Sequence, residues 1–335
     1  MSSPSEVAFI TYINNVSAQI NQYLSIFIFL FGTVGNILNI LVLSQRSFRS
    51  NSCATLFLGS SIANFIAIIT GLTTRMLSGW AVDLTNTNRV LCKLRAFVLN
   101  VARPVALWLI LLAGIDRWLL SSPNIRYRQM SSLKNAQRSI IITLILSILL
   151  FSHIIYCYEP NLINAPLKCY GVTITCRLAT DLSLMFMTIF FPLLFMLIFG
   201  LMTINNVRYS RNRTRPGDIS MITMQGPPST SRPTEQQQRN KIDDQLLMML
   251  LVQVLLLFIF ALPLGVQKLY STITTNRVSS QAQVAIDNFA YNFVLLLNFI
   301  ANGMPFYIYT LVGGNVFRKE LQKMFATARQ KICRL

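Results

Sequence analysis

The sequence predicts an all-α membrane protein, a seven-transmembrane helix bundle followed by a C-terminal amphipathic eighth helix. Of its 335 residues, 53% are hydrophobic and 12% are charged, and a soluble domain carries about twice that charged fraction. Barrel strands would be shorter and would alternate in hydropathy, so long apolar runs predict helices. Seven runs come near the roughly 20 residues that cross a bilayer as a helix: 23–43, 54–72, 96–115, 139–157, 182–204, 246–266 and 284–312.

The chain divides into three parts around these runs. The first run lies too far from residue 1, with no basic segment before it, to be a cleaved signal peptide, so we expect a retained helix. Residues 1–22 are predicted to form a short polar extracellular tail, and 23–315 the transmembrane bundle. Within the bundle, the segment at about 210–240 is rich in Pro, Ser and Gln and is predicted to be a disordered cytosolic loop. Residues 316–335 complete the chain as an amphipathic helix and cytosolic tail.

The basic residues orient the chain in the membrane. The loops after the first, third and fifth runs, together with the C-terminal segment, hold 20 of the 29 Lys and Arg residues. Because such residues concentrate on the cytoplasmic side, the N-terminus is predicted outside and the C-terminus in the cytosol of a multi-pass plasma membrane protein. The net charge of +18 is then a topology signal that also attracts anionic membrane lipids, and it requires no nucleic-acid partner.

Sequons and cysteines fit this orientation. Asn15 begins an N-glycosylation sequon in the outer tail, whereas the sequon at Asn212 falls in a cytosolic loop and is predicted to be unused. Four of the six cysteines lie in the outer loops or near the outer helix ends, where disulfides persist: Cys92, Cys157, Cys169 and Cys176.

The segment after the last run predicts the eighth helix. Phe317, Leu321, Met324 and Phe325 recur at helical spacing while basic residues take the other face. This pattern is typical of a helix that lies on the inner leaflet. Cys333, just beyond it, is a candidate for palmitoylation, and an unmodified tail cysteine is the equal alternative.

Asp116 and Arg117 stand side by side at the end of the third run, in LAGIDRWL. Arg117 follows Cys92 by 25 residues, or about 37 Å of helix, so the charged pair is predicted at the cytosolic edge of the membrane. The simplest interpretation is an interfacial charge pair that ends a helix. The motifs in the other runs favour a more specific one.

Those motifs resemble, in order, the rhodopsin-like (class A) G-protein-coupled receptors, over about residues 22–325. GTVGNILNILVL resembles the family's first helix, and SSIAN matches its second-helix segment with Asn64 in place of an aspartate. IDRW matches the Asp/Glu-Arg-Tyr motif, and NGMPFYIY takes the place of Asn-Pro-x-x-Tyr. The resemblance implies a cell-surface receptor that binds an extracellular ligand and activates a heterotrimeric G protein.

The resemblance also implies a cytosolic switch. Arg117 would contact the G protein in the active receptor and would pair at rest with Asp116 and with Asp243, which lies 20 residues before Pro263. Pro263 would kink the sixth helix and act as its hinge. The alternative for Asp243 is a purely local role, in which its charge favours a helix N-terminus.

The seventh helix departs from the family pattern. Asn302, Pro305 and Tyr309 are the nearest match to Asn-Pro-x-x-Tyr, in an ambiguous register. Asn64 stands where relatives carry a sodium-binding aspartate, which makes a sodium site doubtful, and Ala261 replaces a tryptophan. These departures indicate a divergent branch.

The resemblance further implies a disulfide from Cys92 that pins the second outer loop. Cys169 is the preferred partner, and Cys176 is the alternative. A second bridge would join Cys157 to whichever cysteine remains. A pinned hairpin over a polar vestibule is typical of a peptide receptor.

The ligand class is constrained mainly by exclusion. The seventh run has no lysine for a retinal Schiff base, and FVLNVARPVALW has no acid for a monoamine. Arg103 in that stretch, with Leu99 and Asn100 as neighbouring candidates, is predicted to meet an anionic or carbonyl-bearing ligand group. An internal bond to Asn100, to a helix carbonyl or to a facing polar group is the structural alternative.

Other classes of function find less support in the sequence. We favour a neuropeptide-like ligand, with a lipid or small-acid receptor of the same fold as the alternative. A transporter would need charges in several helices, and this chain offers mainly Arg103. The sequence contains no metal-ligand spacing, phosphate-binding glycine loop or nucleophile–base pair, so we expect no enzyme, no metal and no cofactor.

Overall fold

A computed structural model describes residues 4–78, 85, 87–162, 169–213, 235–274, 280–312 and 314–332. Within these ranges, seven helical spans are long and apolar enough to cross a membrane, which confirms the predicted seven-helix bundle. The spans are Pro4–Leu43, Ser52–Leu77, Arg89–Ser121, Leu133–Cys157, Ile174–Tyr209, Gln245–Ser271 and Gln281–Gly303.

The fourth and fifth spans are each assembled from more than one helix. The helices are α1 (Pro4–Leu43), α2 (Arg46–Arg49), α3 (Ser52–Ser78), α4 (Arg89–Ser121), α5 (Ile125–Met130), α6 (Leu133–Phe151), α7 (His153–Cys157), α8 (Ile174–Ser183), α9 (Phe191–Arg213), α10 (Glu235–Ile273), α11 (Gln281–Gly303), α12 (Pro305–Val312) and α13 (Gly314–Ile332). The fourth span joins α6 to α7. The fifth joins α8 to α9 through a π-helical stretch at Leu184–Phe190, which we call the π-segment.

The first helix is longer than its apolar run. It begins at Pro4, inside the segment predicted as a polar tail, and continues for 40 residues to Leu43. Residues 5–22 contain neither glycine nor proline, so nothing in the sequence interrupts a helix that Pro4 can start. Asn15 is exposed on this extension.

The seventh run, predicted as continuous over 284–312, is broken near its end. α11 stops at Gly303, and Pro305 begins α12 after the single residue Met304. Proline lacks the backbone N–H that a continuing helix would need, which accounts for the break. The first and seventh spans cross just before it, where a Cβ on Gly303 would lie 3.0 Å from the Cα of Gly32. Small residues permit this close backbone approach.

The helix after the seventh span has the predicted amphipathic character. In α13, Phe317 is 1% exposed and packs against Phe48, Phe306 and Tyr309. Phe325, predicted for the same face, is 53% exposed and is not buried against the bundle. Cys333 lies outside the described residues.

A short hairpin closes one end of the bundle. Strand β1 (Tyr158–Glu159) pairs antiparallel with β2 (Tyr170–Gly171). Two disulfides hold it: Cys92–Cys169 joins the hairpin to α4, and Cys157–Cys176 joins α7 to α8. We call this the hairpin end, and the opposite end, where α4 carries Asp116 and Arg117, the Arg117 end.

Candidate functional site

A cavity of about 90 Å³ lies at the hairpin end, enclosed by α3, α4, the π-segment, α10, α11 and the hairpin. The predicted ligand contacts Leu99, Asn100 and Arg103 all line it. Leu99 and Arg103 are four residues apart and therefore share one face of α4. The side-chain amide of Asn100 donates to the carbonyl of Ala96 at 2.7 Å.

Arg103 is a buried charge in this cavity, 8% exposed, on α4. It follows Cys92 by 11 residues, or about 16 Å along the helix axis. Its guanidinium lies 4.6 Å from the centroid of the Phe299 ring, a cation–π contact. Its Nε and Nη2 atoms are buried without a hydrogen-bond partner, so neither bonds Asn100 or a helix carbonyl. An uncompensated charge at this depth marks a functional site by default.

Three basic residues that were not predicted as site residues also line the cavity: Arg75, Arg95 and Lys268. Arg75 and Arg95 flank apolar runs, where charged residues ordinarily mark helix ends. The sequence therefore does not indicate that both side chains face the same cavity. Lys268 lies two residues after the sixth apolar run, 246–266, so the sequence predicts it in an outer loop, and the structure corrects that position. Because α10 continues to Ile273, Lys268 is carried into the bundle and is only 6% exposed.

Lys268 has a matched counter-ion. Its Nζ donates to Oδ1 of Asp181 at 2.6 Å, and the hydroxyl of Tyr170 donates to Oδ2 of the same carboxylate at 2.8 Å. Burial raises the pKa of Tyr170, so the phenol stays protonated and remains a donor. Asp181 thus neutralises Lys268 and ties α8 to α10 and β2.

The hairpin forms the wall that covers the cavity. Tyr158 and Tyr170 both line it. On the outer side, the carboxylate of Glu159 pairs with Arg89 at 2.6 Å and with Lys93 at 3.1 Å. The hydrogen bond from Arg89 holds the pKa of Glu159 below its usual range. The Cys92–Cys169 disulfide fixes the hairpin over α4, and these ion pairs lie on its outer surface.

A second polar cluster lies at the Arg117 end. Nη2 of Arg117 contacts Oδ2 of Asp116 at 2.7 Å, and both side chains are buried. Asp116 also accepts hydrogen bonds from the hydroxyls of Ser52 at 2.8 Å and Ser131 at 2.7 Å. The predicted charge pair is therefore a buried ion pair, anchored to the start of α3 and to the segment after α5.

The proposed partner of Arg117 on α10 stays a prediction. Asp243 lies on α10, and its side chain is outside the part of the chain that the structure describes. Farther along the same helix, Leu250 lies 3.7 Å from where a Cβ on Gly114 would be. α10 therefore packs against α4 about one turn from the Asp116–Arg117 pair.

Two residues predicted for the seventh-helix motif, Asn302 and Tyr309, contact other helices. The Tyr309 hydroxyl donates to Oε1 of Gln253 at 2.6 Å and joins α12 to α10. The Asn36 side chain donates to the backbone carbonyl of Asn302 at 3.1 Å. Pro305 is buried at the start of α12. Gln253 was not predicted, although a glutamine inside an apolar run is itself an indication of a polar partner.

Pro263 lies inside α10, between the two clusters. Leu264, directly after it, lines the cavity at the hairpin end. Gln253, ten residues before it, holds Tyr309 toward the Arg117 end. α10 thus lines the cavity on one side of Pro263 and bonds Tyr309 on the other, and proline frees a backbone carbonyl between them.

A separate apolar groove of about 360 Å³ lies between α3, α4 and α6. It is lined by glycine, aliphatic and phenylalanine side chains, among them Ile62, Phe97 and Leu144. No polar side chain is among the described residues that line this groove.

Comparison with protein families assigns the chain. The family described as 7 transmembrane receptor (rhodopsin family) matches residues 35–306, which covers most of the sequence. The chain belongs to the rhodopsin family. This receptor is therefore a multi-pass plasma membrane protein that binds an extracellular ligand and signals through a G protein, and it is not an enzyme. A comparison with curated proteins gives no match.

Membership in this family argues against the transporter interpretation. It also gives a reason for two polar sites at opposite ends of one bundle, since a receptor binds its ligand at one end and its G protein at the other. The cavity of the receptor lies at one end, and the Asp116–Arg117 pair lies at the other.

Proposed function

We propose that the receptor is activated by a small organic anion that binds Arg103 inside the bundle. The observation that carries this proposal is the buried guanidinium of Arg103, whose Nε and Nη2 atoms have no acceptor although the side chain lines a cavity. A carboxylate or phosphate would supply acceptors through charge-assisted hydrogen bonds. No carboxylate is among the described residues that line this cavity.

The size of the cavity favours a small acid over a peptide. Its volume of about 90 Å³ is well below the roughly 300–1,000 Å³ of a pocket that encloses a drug-sized ligand. The disulfide-pinned hairpin supports a peptide, favoured from the sequence, as the second candidate. A peptide would bind across the hairpin and insert one acidic group toward Arg103. The apolar groove lacks the polar groups that orient a ligand, so a lipid agonist finds less support there.

The receptor would couple the cavity to the G protein through α10. A ligand that contacts Leu264 or Lys268 acts on α10 on the hairpin side of Pro263. Outward movement of the part of α10 on the Arg117 side of Pro263 would separate α10 from α4 and free Arg117 for the G protein. A two-state rearrangement of packed helices is an established way to transmit such a change.

In this arrangement the hairpin end faces the outside and the Arg117 end faces the cytosol. Asn15, exposed on α1, would carry a glycan, and α13 would lie on the inner leaflet with its basic face toward anionic lipid. Palmitoylation of Cys333 would add a second membrane attachment.

The proposal is tested by screening cells that express the receptor with G-protein biosensors. Three matched libraries are compared: small carboxylic and phosphoric acids, peptides, and lipids. The proposal predicts activators among the acids, and their neutral esters or amides should be inactive. Activators found only among neutral or cationic molecules would overturn it, and activation by peptides alone would favour the second candidate.

A further inference from the structure

Arg103 and Arg75 line the same cavity and together hold more positive charge than a single negative charge can balance. Arg75 on α3 and Arg95 on α4 line it together with Arg103. Both lie close enough to Arg103 to repel its guanidinium electrostatically. Lys268 does not add to this excess, because Asp181 neutralises it at 2.6 Å. Like charges gathered in a low-dielectric cavity raise the energy of the empty receptor.

Arg75 is held in place by neutral groups. Its Nη1 donates to the side-chain oxygens of Asn21 at 2.8 Å and of Asn292 at 3.1 Å. These bonds fix the guanidinium between α1, α3 and α11 without neutralising it. Because Nη1 is the donor in both bonds, the Nε and Nη2 groups of the Arg75 guanidinium can donate to another acceptor.

Arg103 and Arg75 approach the cavity from different helices. Arg103 is deep on α4, beside the Phe299 ring, and Arg75 is close to the hairpin end of α3. Arg95 contributes a third guanidinium to the wall and donates to the carbonyl of Thr70 at 3.3 Å. A ligand with a single negative charge would satisfy Arg103 and leave Arg75 without a counter-ion.

On the basis of the function proposed above, we infer that the ligand carries two negative charges, one balanced by Arg103 and the other by Arg75. A dicarboxylate and a phosphate monoester share this chemistry, because both present two negative charges on acidic oxygens. Arginine suits either, since its planar fork matches the geometry of carboxylate and phosphate.

The inference is tested by thermal unfolding of the purified full-length receptor, with two matched series of probes. One series compares dicarboxylates of three to six carbons with their monomethyl esters. The other compares phosphate monoesters with the corresponding diesters. We expect at least one dianion to raise the melting temperature with an affinity about tenfold or more above that of its singly charged partner. The series that responds distinguishes a carboxylate from a phosphate ligand.

Variants connect the preference to the named residues. Arg75→Gln should lower dianion affinity to that of the monoanion and leave monoanion affinity unchanged. Arg75→Lys, which keeps the charge, should keep part of the preference. Arg103→Gln should lower the affinity for both the dianion and the monoanion. Arg89→Gln serves as the matched control, because Arg89 is an outer arginine that pairs with Glu159 and does not line the cavity.

The outcomes separate this inference from the proposed function. Equal affinity of a dianion and its singly charged partner would overturn the inference and leave an anionic ligand in place. If no member of either series changes the melting temperature, the anion-binding function itself fails. A preference for dianions that survives Arg75→Gln would also contradict the assignment.

Discussion

Lys268 and Asp181 form a buried ion pair whose Nζ and Oδ1 atoms lie 2.6 Å apart, with side chains 8% and 9% exposed. The pair joins α10 to α8, and Tyr170 of the hairpin donates to the same carboxylate. Two elements that enclose the cavity, α10 and the hairpin, are therefore joined to α8 through one charge pair. Removing one partner of such a pair leaves an uncompensated charge in the protein interior.

We predict that Asp181→Asn destabilises the purified receptor. The amide keeps the shape of the side chain but leaves Lys268 without a counter-ion, and such losses typically cost about 3–5 kcal/mol. The melting temperature in detergent should fall by several degrees. Glu159→Gln is the matched control: it removes an acid from partly exposed surface pairs with Arg89 and Lys93, and surface pairs contribute about 0–1 kcal/mol. Equal melting temperatures for the two variants would contradict a stabilising role for the buried pair.

Asp116→Asn should raise ligand-independent signalling. The substitution removes the charge that holds Arg117 at 2.7 Å and retains acceptor capacity for Ser52 and Ser131. A bias of about 1.4 kcal/mol toward the active state would raise the active-to-inactive ratio tenfold. Basal activity in a G-protein biosensor, normalised to surface expression, measures the effect. Glu320→Gln, which breaks an ion pair with Lys323 in α13, should leave basal activity unchanged, and so a rise in both variants would argue against a specific restraint on Arg117.

Asp243→Ala should also raise basal signalling if Asp243 restrains Arg117 across α10 and α4. The effect should be smaller in an Asp116→Asn background, because both carboxylates would act on the same guanidinium and their energies would not add. Basal activity unchanged from the wild type, at equal surface expression, would leave Asp243 with the local helix-dipole role alone.

The predicted orientation is testable at the two sequons. Asn15→Gln should abolish the glycosidase-sensitive shift of the receptor on a gel, because Asn15 is exposed on the segment placed outside. Asn212→Gln should leave that shift unchanged, since Asn212 is placed in the cytosol. A shift that depends on Asn212 instead would invert the topology.

The spans could be predicted from sequence because hydropathy is a local property, whereas the contacts between them could not. Lys268 meets Asp181 across 87 residues, and Tyr309 meets Gln253 across 56. Such pairs depend on how each helix is rotated and tilted, which a hydrophobic run does not specify. Arg103 was predicted as a ligand contact because a charge inside an apolar run is conspicuous. Arg75 was missed because a charge at the end of a run is ordinary.

The most direct test of anion binding by Arg103 is the response of Arg103→Ala to an acidic agonist found in the biosensor screen. Concentration–response curves are compared with the wild type at matched surface expression, with Arg89→Gln as the control. We predict that Arg103→Ala abolishes the response or shifts it by about a hundredfold, while Arg89→Gln responds like the wild type. An unchanged response of Arg103→Ala would contradict the proposed function, because the buried guanidinium would then have no part in binding the ligand.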